Sequence, residues 1–145
     1  MKQIDELLNM WKEDCIIDRT EPGKALLDIP ILHSKYVSIL SKYRLLVKEN
    51  ELKFSKMKKL KWEYYTGRLD QETMKEYGWE PFQFTLKKDI DLYIESDDDL
   101  NKLKAQKAMY EEIVDLCIGI IKELNSRTYQ LRSFIDYEKF INGGM

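Results

Sequence analysis

Hydrophobic residues recur at heptad spacing through the middle of the chain, from position 31 to position 65, a stretch that contains neither Gly nor Pro. The seam consists of Leu32, Tyr36, Ile39, Tyr43 and Leu46, which alternate at intervals of four and three residues. This spacing predicts a long α-helix with one apolar face. Such a helix extends for about 50 Å, at ~1.5 Å per residue. Because a domain of this size does not cover so long a helix, we expect it to pack against other copies of the chain.

The same heptad register meets two polar residues before it becomes apolar again. Asn50 and Lys53 occupy seam positions, and Met57, Leu60 and Tyr64 restore the apolar pattern. A polar residue in a seam can set the register or the oligomeric state of the helices. It also fits a helix that has left its partner at that point, and both interpretations stay open.

Shorter patterns flank the long helix. Residues 1–13 place apolar side chains at helical spacing and predict an N-terminal helix. Residues 97–141 predict C-terminal helices, with Ser96 or Asp97 as the cap of the first turn and an interruption at residues 125–126 as an alternative to a continuous helix.

Residues 82–94 alternate between apolar and polar positions. The apolar members are Phe82, Phe84 and Leu86 in one run and Ile90, Leu92 and Ile94 in another. Alternation of this kind predicts two short strands, and the polar residues between the runs suggest a small β-hairpin. An extended arm is the rival interpretation, because two strands alone are only marginally stable.

The composition favours helices over a sheet. Charged residues make up 34 % of the chain, well above the usual share of about 25 %. Only 6 Gly and 3 Pro occur among the 145 residues. We therefore predict a mainly α protein, with residues 1–145 in a single domain, whose long central helix and C-terminal helices assemble into a homo-oligomer.

The distribution of charge is more informative than the formal net charge of −2. Residues 35–68 contain ten basic and three acidic side chains, so this segment carries +7 and the rest of the chain carries −9. The average over the whole chain therefore conceals a segment with the charge of a nucleic-acid-binding surface.

Basic and aromatic residues are most concentrated near the end of the long helix, which with its binding motif covers residues 31–66. The candidate DNA-binding residues are Lys56, Lys58, Lys59, Lys61, Trp62, Tyr65 and Arg68. Proteins that bind single strands without sequence preference combine cations for the phosphates with aromatic faces for the bases. This stretch therefore predicts binding to single-stranded nucleic acid.

Each of these features also has a purely structural interpretation. Lysines near the end of a helix are favoured by the helix dipole, whatever the function. Tyr64 and Tyr65 are adjacent and face different ways, so one of them is expected to pack in the core. Trp62 fits base stacking and packing equally well.

The sequence contains little chemistry for catalysis. His33 is the only histidine, and it adjoins Ser34 at helical positions that do not face each other. The common zinc and nucleotide motifs are absent, so we predict no enzyme activity, no metal site and no cofactor. Cys15 and Cys117 have no metal or pairing pattern and are predicted to be reduced packing residues. No apolar run approaches the ~20 residues that span a bilayer, so we expect no membrane partner.

The segment Lys59–Arg68, with the sequence KLKWEYYTGR, resembles the core motif of a known family. That motif runs leucine, lysine, any residue, arginine, then a hydrophobic residue, an acid, two tyrosines, serine or threonine, glycine and arginine. Further similar blocks lie at residues 17–20, 32–36, 88–90, 115–119 and 126–127. In these blocks the chain resembles the UvsY family, the recombination mediator proteins of T-even-like bacteriophages. Lys61 stands where arginine is usual, and Trp62 replaces a smaller hydrophobic residue.

The resemblance implies a specific function. Members of this family are ring-shaped homo-oligomers that bind single-stranded DNA, and the two motif cations associated with binding fall on Lys59 and Lys61. The family members help to load a RecA-like phage recombinase onto DNA covered by the phage single-strand binding protein. The resemblance therefore implies three partners, a non-enzymatic function in DNA recombination, repair and replication, and a location in the cytoplasm of the infected bacterial host. The acidic run Glu95–Asp99 is a candidate surface for a basic partner.

One alternative function follows from the heptad seam alone. A helical coiled-coil adaptor would use the seam to bind a partner and would have no role in nucleic-acid binding. It predicts no affinity for oligothymidine at low salt, which distinguishes it from a mediator.

Overall fold

The computed structural model describes residues 1–82 and 86–143, and within these ranges every regular element is a helix. The α-helices are α1 (Lys2–Asp14), α2 (Pro22–Tyr65), α3 (Gln71–Tyr77), α4 (Ile90–Glu95) and α5 (Asp98–Ile141), and a 3₁₀ turn (Lys87–Asp89) precedes α4. The expectation of a mainly α protein is confirmed. The chain divides into two compact units, one of residues 1–45 with the segment from Met109 onwards, the other Leu46–Ala108. The prediction of a single domain stays a prediction.

The first unit has an apolar core. Its buried residues are Leu7, Tyr36, Leu40, Ile113, Cys117, Ile120 and Leu124. Trp11 of α1 packs edge-on against Tyr36, with ring centroids 5.6 Å apart. The amphipathic pattern of residues 1–13 is thus explained, because a helix this short is stable only when its apolar side is packed. Cys117 is buried, as its apolar neighbours predicted.

Polar contacts fix the end of α1 within the first unit. The Asp14 carboxylate accepts hydrogen bonds from Lys35 at 2.6 Å and from the Tyr36 hydroxyl at 2.8 Å. Burial alone would raise the pKa of Asp14, but these two donors outweigh it and lower that pKa. The buried Arg127 donates to the carbonyls of Asp14 and Cys15, which the ending helix leaves without backbone partners.

Helix α2 begins at Pro22, upstream of position 31, where the sequence placed its start. Pro22 occupies the first helical position, where the missing N–H would have no partner in any case. Pro30 lies inside the helix, so here proline removes one hydrogen bond without ending the element. The helix therefore includes nine residues before the start at position 31 that the apolar pattern predicted.

Helix α5 continues through Asn125 and Ser126 without interruption. The Ser126 hydroxyl donates to the carbonyl of Lys122 at 3.2 Å. This bond to the carbonyl one turn earlier satisfies the hydroxyl inside a continuous helix. The C-terminal region is therefore one helix where the sequence allowed several.

The β-hairpin proposed for residues 82–94 is corrected by the helices found there. Its second strand, Ile90 to Ile94, is the helix α4. Its first strand includes residues 83–85, which lie outside the described residues. The alternation misled because Ile90 and Ile94 are also four residues apart, and a short apolar run fits both periods.

In the second unit, α2 and α5 are joined by a polar contact at the seam break. The Asn50 side chain is buried, and its Nδ2 donates to the Leu103 carbonyl at 3.3 Å. At Asn50 the helix has therefore not left its partner, because the Asn50 side chain bonds to α5. That partner belongs to the same chain.

Candidate nucleic-acid interface

The last turns of α2 have two chemically different faces. One face carries Lys58, Lys59 and Trp62, which are exposed. Trp62 lies four residues after Lys58 and three after Lys59, so the three side chains are neighbours on the helix surface. Lys56, which is also exposed, lies three residues before Lys59. We call Lys56, Lys58, Lys59, Trp62 and Arg68 the outer surface.

The end of α2 adds Arg68 to this surface. Gly67 has a φ of 74°, and its N–H donates to the Tyr64 carbonyl, while the Arg68 N–H donates to the Glu63 carbonyl at 2.8 Å. These two bonds form a Schellman motif, in which glycine supplies the left-handed residue. The chain turns back, and the Arg68 guanidinium carbon lies 4.9 Å from the Trp62 ring centroid. These bonds end α2 next to position 66, where the sequence placed the end of the long helix and its motif.

The charges of the outer surface are largely uncompensated. Among the residues that the structure describes, Lys56, Lys58 and Lys59 have no carboxylate within ion-pair distance. Lys53, one turn earlier, differs because it pairs with Glu49 at 3.3 Å. The exposed lysines are therefore available to an external anion.

The opposite face places Lys61 inside the second unit. Its side chain is only 5 % exposed. Its Nζ lies 3.1 Å from an Asp97 oxygen and 2.7 Å from an Asp99 oxygen. The same Nζ lies 3.9 Å from the centroid of the Trp79 ring, a cation–π contact. A lysine enclosed in this way is occupied by its own chain.

Tyr65 belongs to the same buried arrangement. Its hydroxyl donates to Asp97, and burial followed by this hydrogen bond raises its pKa above the ordinary range. Burial alone would raise the pKa of Asp97, but bonds from Tyr65 and the Leu100 N–H, with the charge of Lys61, outweigh it and lower that pKa. Because Asp97 also caps α5 through the Leu100 N–H at 2.9 Å, one carboxylate joins the two helices.

Aromatic rings enclose this polar centre. Tyr64 and Tyr65 contact each other, and both contact Phe82, with centroid distances between 5.1 and 5.8 Å. Trp79 lies 5.3 Å from Tyr64 and stacks on Tyr77 at 4.7 Å. A second Schellman motif at Gly78, with a φ of 74°, turns Trp79 back onto its own helix α3.

The seven residues named from the sequence thus separate into two groups. The outer surface contains Lys56, Lys58, Lys59, Trp62 and Arg68, whereas Lys61 and Tyr65 lie on the inward face. A signal for this division was present in the sequence. Lys61 lies four residues after Met57 and three before Tyr64, on the side that carries the apolar seam.

Sequence reasoning missed the partners of the inward face. Trp79, Asp97 and Asp99 were not named as site residues, since they come from segments distant in sequence. From the sequence, Asp97 was one of two candidate helix caps and part of an acidic run, and its contacts with Lys61 and Tyr65 were not predicted. Spacing along α2 carries no information about which residues of another helix lie opposite.

Other kinds of site find no support in the described residues. In residues 1–82 and 86–143, no group of three histidine, cysteine or carboxylate side chains is arranged to hold a metal ion. Likewise, none of the helices in these ranges is long and apolar enough to cross a membrane.

The fold and the outer surface define a helical protein with the components that single-strand-binding proteins combine, exposed cations beside an aromatic ring. The family profile described as recombination, repair and ssDNA binding protein UvsY matches residues 10–144. The chain therefore belongs to the UvsY family, and the resemblance inferred from its motifs is confirmed.

Solved structures show the same fold. Two crystal structures of the bacteriophage T4 recombination mediator protein UvsY, lattice types II and I, each superpose with a TM-score of 0.80 at 21 % identity. The first match covers 95 % of this chain and 96 % of that chain, and the second covers 93 % and 98 %. A third, lattice type IV, has a TM-score of 0.78 at 20 % identity and covers 94 % and 96 %. No curated protein matches this sequence significantly.

Proposed function

We propose that this chain is a recombination mediator that binds single-stranded DNA and helps to load a RecA-like phage recombinase onto DNA covered by single-strand binding protein. The observation that carries the proposal is the outer surface, where unpaired lysines surround a half-exposed tryptophan. Membership of the UvsY family and the fold shared with the T4 mediator support the same conclusion.

The outer surface provides both parts of a single-strand site. Lys58, Lys59 and Arg68 offer cations for phosphates, and Trp62, with 40 % of its surface exposed, offers a ring for stacking. A stacked base contributes about 1–3 kcal/mol and does not depend on base identity. Arg68 over the Trp62 ring keeps a cation beside the stacking position. We infer binding with little sequence preference.

In this proposal Lys61 and Tyr65 shape the surface without touching DNA. Their polar groups are already bonded to Asp97 and Asp99. Moving Lys61 out to a phosphate would leave the buried Asp97 without its cation, which is costly. The direct contacts are therefore assigned to the exposed residues, and Lys61 acts by holding α2 and α5 together.

We further propose that several copies assemble into a ring. A single chain offers only a few cations, and affinity for single strands that rests on few phosphate contacts falls quickly with salt. Assembly raises the effective concentration of the surface. Exposed apolar residues in the first unit, such as Leu27 and Ile31 one turn apart on α2, support an interface between copies.

The protein partners and the location follow from the family function. The acidic run Glu95–Asp99 is less available to a basic partner than its sequence suggested, because Asp97 and Asp99 are paired with Lys61. We propose that the recombinase and the single-strand binding protein meet other surfaces. We also propose that the protein acts in the host cytoplasm and catalyses no reaction of its own.

The test is a titration of labelled oligothymidine with the full-length protein, followed by fluorescence anisotropy at several salt concentrations. Lys59→Ala and Trp62→Ala should each weaken binding by about tenfold, since each removes an interaction of about 1–2 kcal/mol. Lys59→Ala should also flatten the salt dependence, by about 0.7 for each phosphate that the variant no longer neutralises. Unchanged affinity in both variants would contradict the site.

The adaptor alternative is favoured by the exposed Leu27 and Ile31, which suit a protein partner as well as a second copy. Mass measurement by light scattering, with and without oligothymidine, separates the two proposals. A mediator forms an oligomer that binds the oligonucleotide, whereas an adaptor ignores it even at low salt.

A further inference from the structure

Helix α5 carries a lysine that lies beside the outer surface although it is distant in sequence. The Nζ of Lys104 lies 5.7 Å from the centroid of the Phe54 ring on α2. Phe54 precedes Lys58 by four residues, so the two side chains are neighbours on one face of that helix. Lys104 and Lys58 therefore both lie near Phe54. All three belong to the second unit.

The charges around Phe54 leave both lysines available. Lys104 and Lys58 are exposed, and neither has a carboxylate within ion-pair distance among the described residues. The nearest acid along α2 is Glu51, one turn before Phe54. Its carboxylate is engaged by Lys107 at 3.3 Å and by Lys48 at 3.9 Å. The region is therefore net positive, with a partly buried aromatic ring close to two unpaired cations.

We propose that Lys104 is a further phosphate-binding residue, and that the DNA path extends from the end of α2 along the groove between α2 and α5, over Phe54. This inference rests on the proposed single-strand binding. It adds a cation from α5 to the cations that the motif in α2 supplies. A flexible polyanion fits such a groove because its backbone bends to follow the charges.

Helix α5 also offers a matched control. Lys102 is exposed as well, but it precedes Lys104 by two residues and thus points about 200° away around the helix. Lys102→Met and Lys104→Met remove the same charge from the same helix and keep an apolar stem of similar length. Lys104→Arg retains the charge.

The experiment titrates labelled oligothymidine with the full-length protein and its variants at about 50 to 200 mM salt, where single-strand affinity is most sensitive to charge. Lys104→Met should weaken binding by roughly fivefold and reduce the salt slope by about 0.7 for each chain that contacts the strand. Lys102→Met should change affinity by less than about twofold, and Lys104→Arg should bind like the parent. Urea unfolding checks that all variants are folded.

The outcomes separate this inference from the proposed function. Equal affinities of the Lys104→Met and Lys102→Met variants, together with weaker binding by Lys59→Ala, would overturn the extended path and leave the outer surface intact. A parent protein that does not bind oligothymidine would overturn both. Weaker binding by Lys104→Met, restored in Lys104→Arg and absent in Lys102→Met, supports the path.

Discussion

Lys59 and Lys61 lie two residues apart on α2 and have opposite surroundings. Lys59 is exposed and unpaired among the described residues, whereas Lys61 is buried between two carboxylates and an aromatic ring. Both lysines fall on motif cations that the family resemblance associates with binding. In the proposed function Lys59 is the contact lysine and Lys61 is the support lysine, and their burial distinguishes them.

The largest expected effect concerns Lys61 itself. Lys61→Ala leaves Asp97 buried without its cation and should lower the free energy of unfolding by about 3–5 kcal/mol. Lys59→Ala, in contrast, should change it by less than about 0.5 kcal/mol, as is usual for exposed positions. Urea denaturation followed by circular dichroism measures both. Equal stability of the two variants would contradict the division into a contact lysine and a support lysine.

A smaller loss is expected for Tyr65. Tyr65→Phe removes the hydroxyl that donates to Asp97 and keeps the ring against Phe82 and Tyr93. The expected cost is about 1–2 kcal/mol in unfolding free energy, because a buried charged acceptor is deprived of one donor. Binding of oligothymidine should persist once the protein is folded. A folded variant that no longer binds would instead assign Tyr65 to the contact surface.

Gly67 tests the geometry of the outer surface. Gly67→Ala should cost about 1–2 kcal/mol, because a residue with a Cβ is strained at a φ of 74°. No neighbouring atom obstructs the added Cβ, so the cost is conformational alone. Gly23→Ala is the control, because Gly23 is likewise unobstructed and lies in the first turn of α2. Thermal unfolding of the two variants should differ accordingly, and equal midpoints would argue against strain at Gly67.

The mildest test uses pH. The lowered pKa of Asp97 means that its stabilising contribution is complete above its unfolded pKa of about 3.9 and is lost as the pH falls through the lower, folded value. The parent should therefore lose stability below about pH 4. The Asp97→Asn variant should have a lower free energy of unfolding than the parent at neutral pH. On acidification it should lose less of that free energy than the parent does, because it lacks the carboxylate that titrates. The control is the variant Asp98→Asn, because Asp98 is exposed. Its stability should depend on pH as that of the parent does. A weaker dependence in this variant would show that Asp97 is not the group responsible.

Much of the fold followed from local sequence signals. The end of the long helix near position 66 and the choice of Ser96 or Asp97 as the cap of the C-terminal helix each depend on bonds within a few residues, which residue type and spacing predict. The prediction of a hairpin was wrong because a short apolar run such as Ile90 to Ile94 fits both the strand period and the helix period. Local sequence does not choose between the two, and contacts with the rest of the unit do.

The candidate site was predictable in its residues and not in their functions. The sequence identified the cations and rings of residues 53–68, because a high density of charged and aromatic residues can be read from the sequence alone. It did not show that Lys61 faces Asp97 and Asp99, or that Lys104 lies near Phe54. Those pairings depend on the register between α2 and α5, which neither helix encodes alone.

The glycine cap of α2 makes the pairing of Trp62 and Arg68 a local feature of the chain. The N–H groups of Gly67 and Arg68 donate to the carbonyls of Tyr64 and Glu63, so a contiguous heptapeptide from position 62 to position 68 contains this pairing of ring and guanidinium. A substitution at Gly67 is therefore expected to separate the guanidinium from the ring as well as to destabilise the end of the helix.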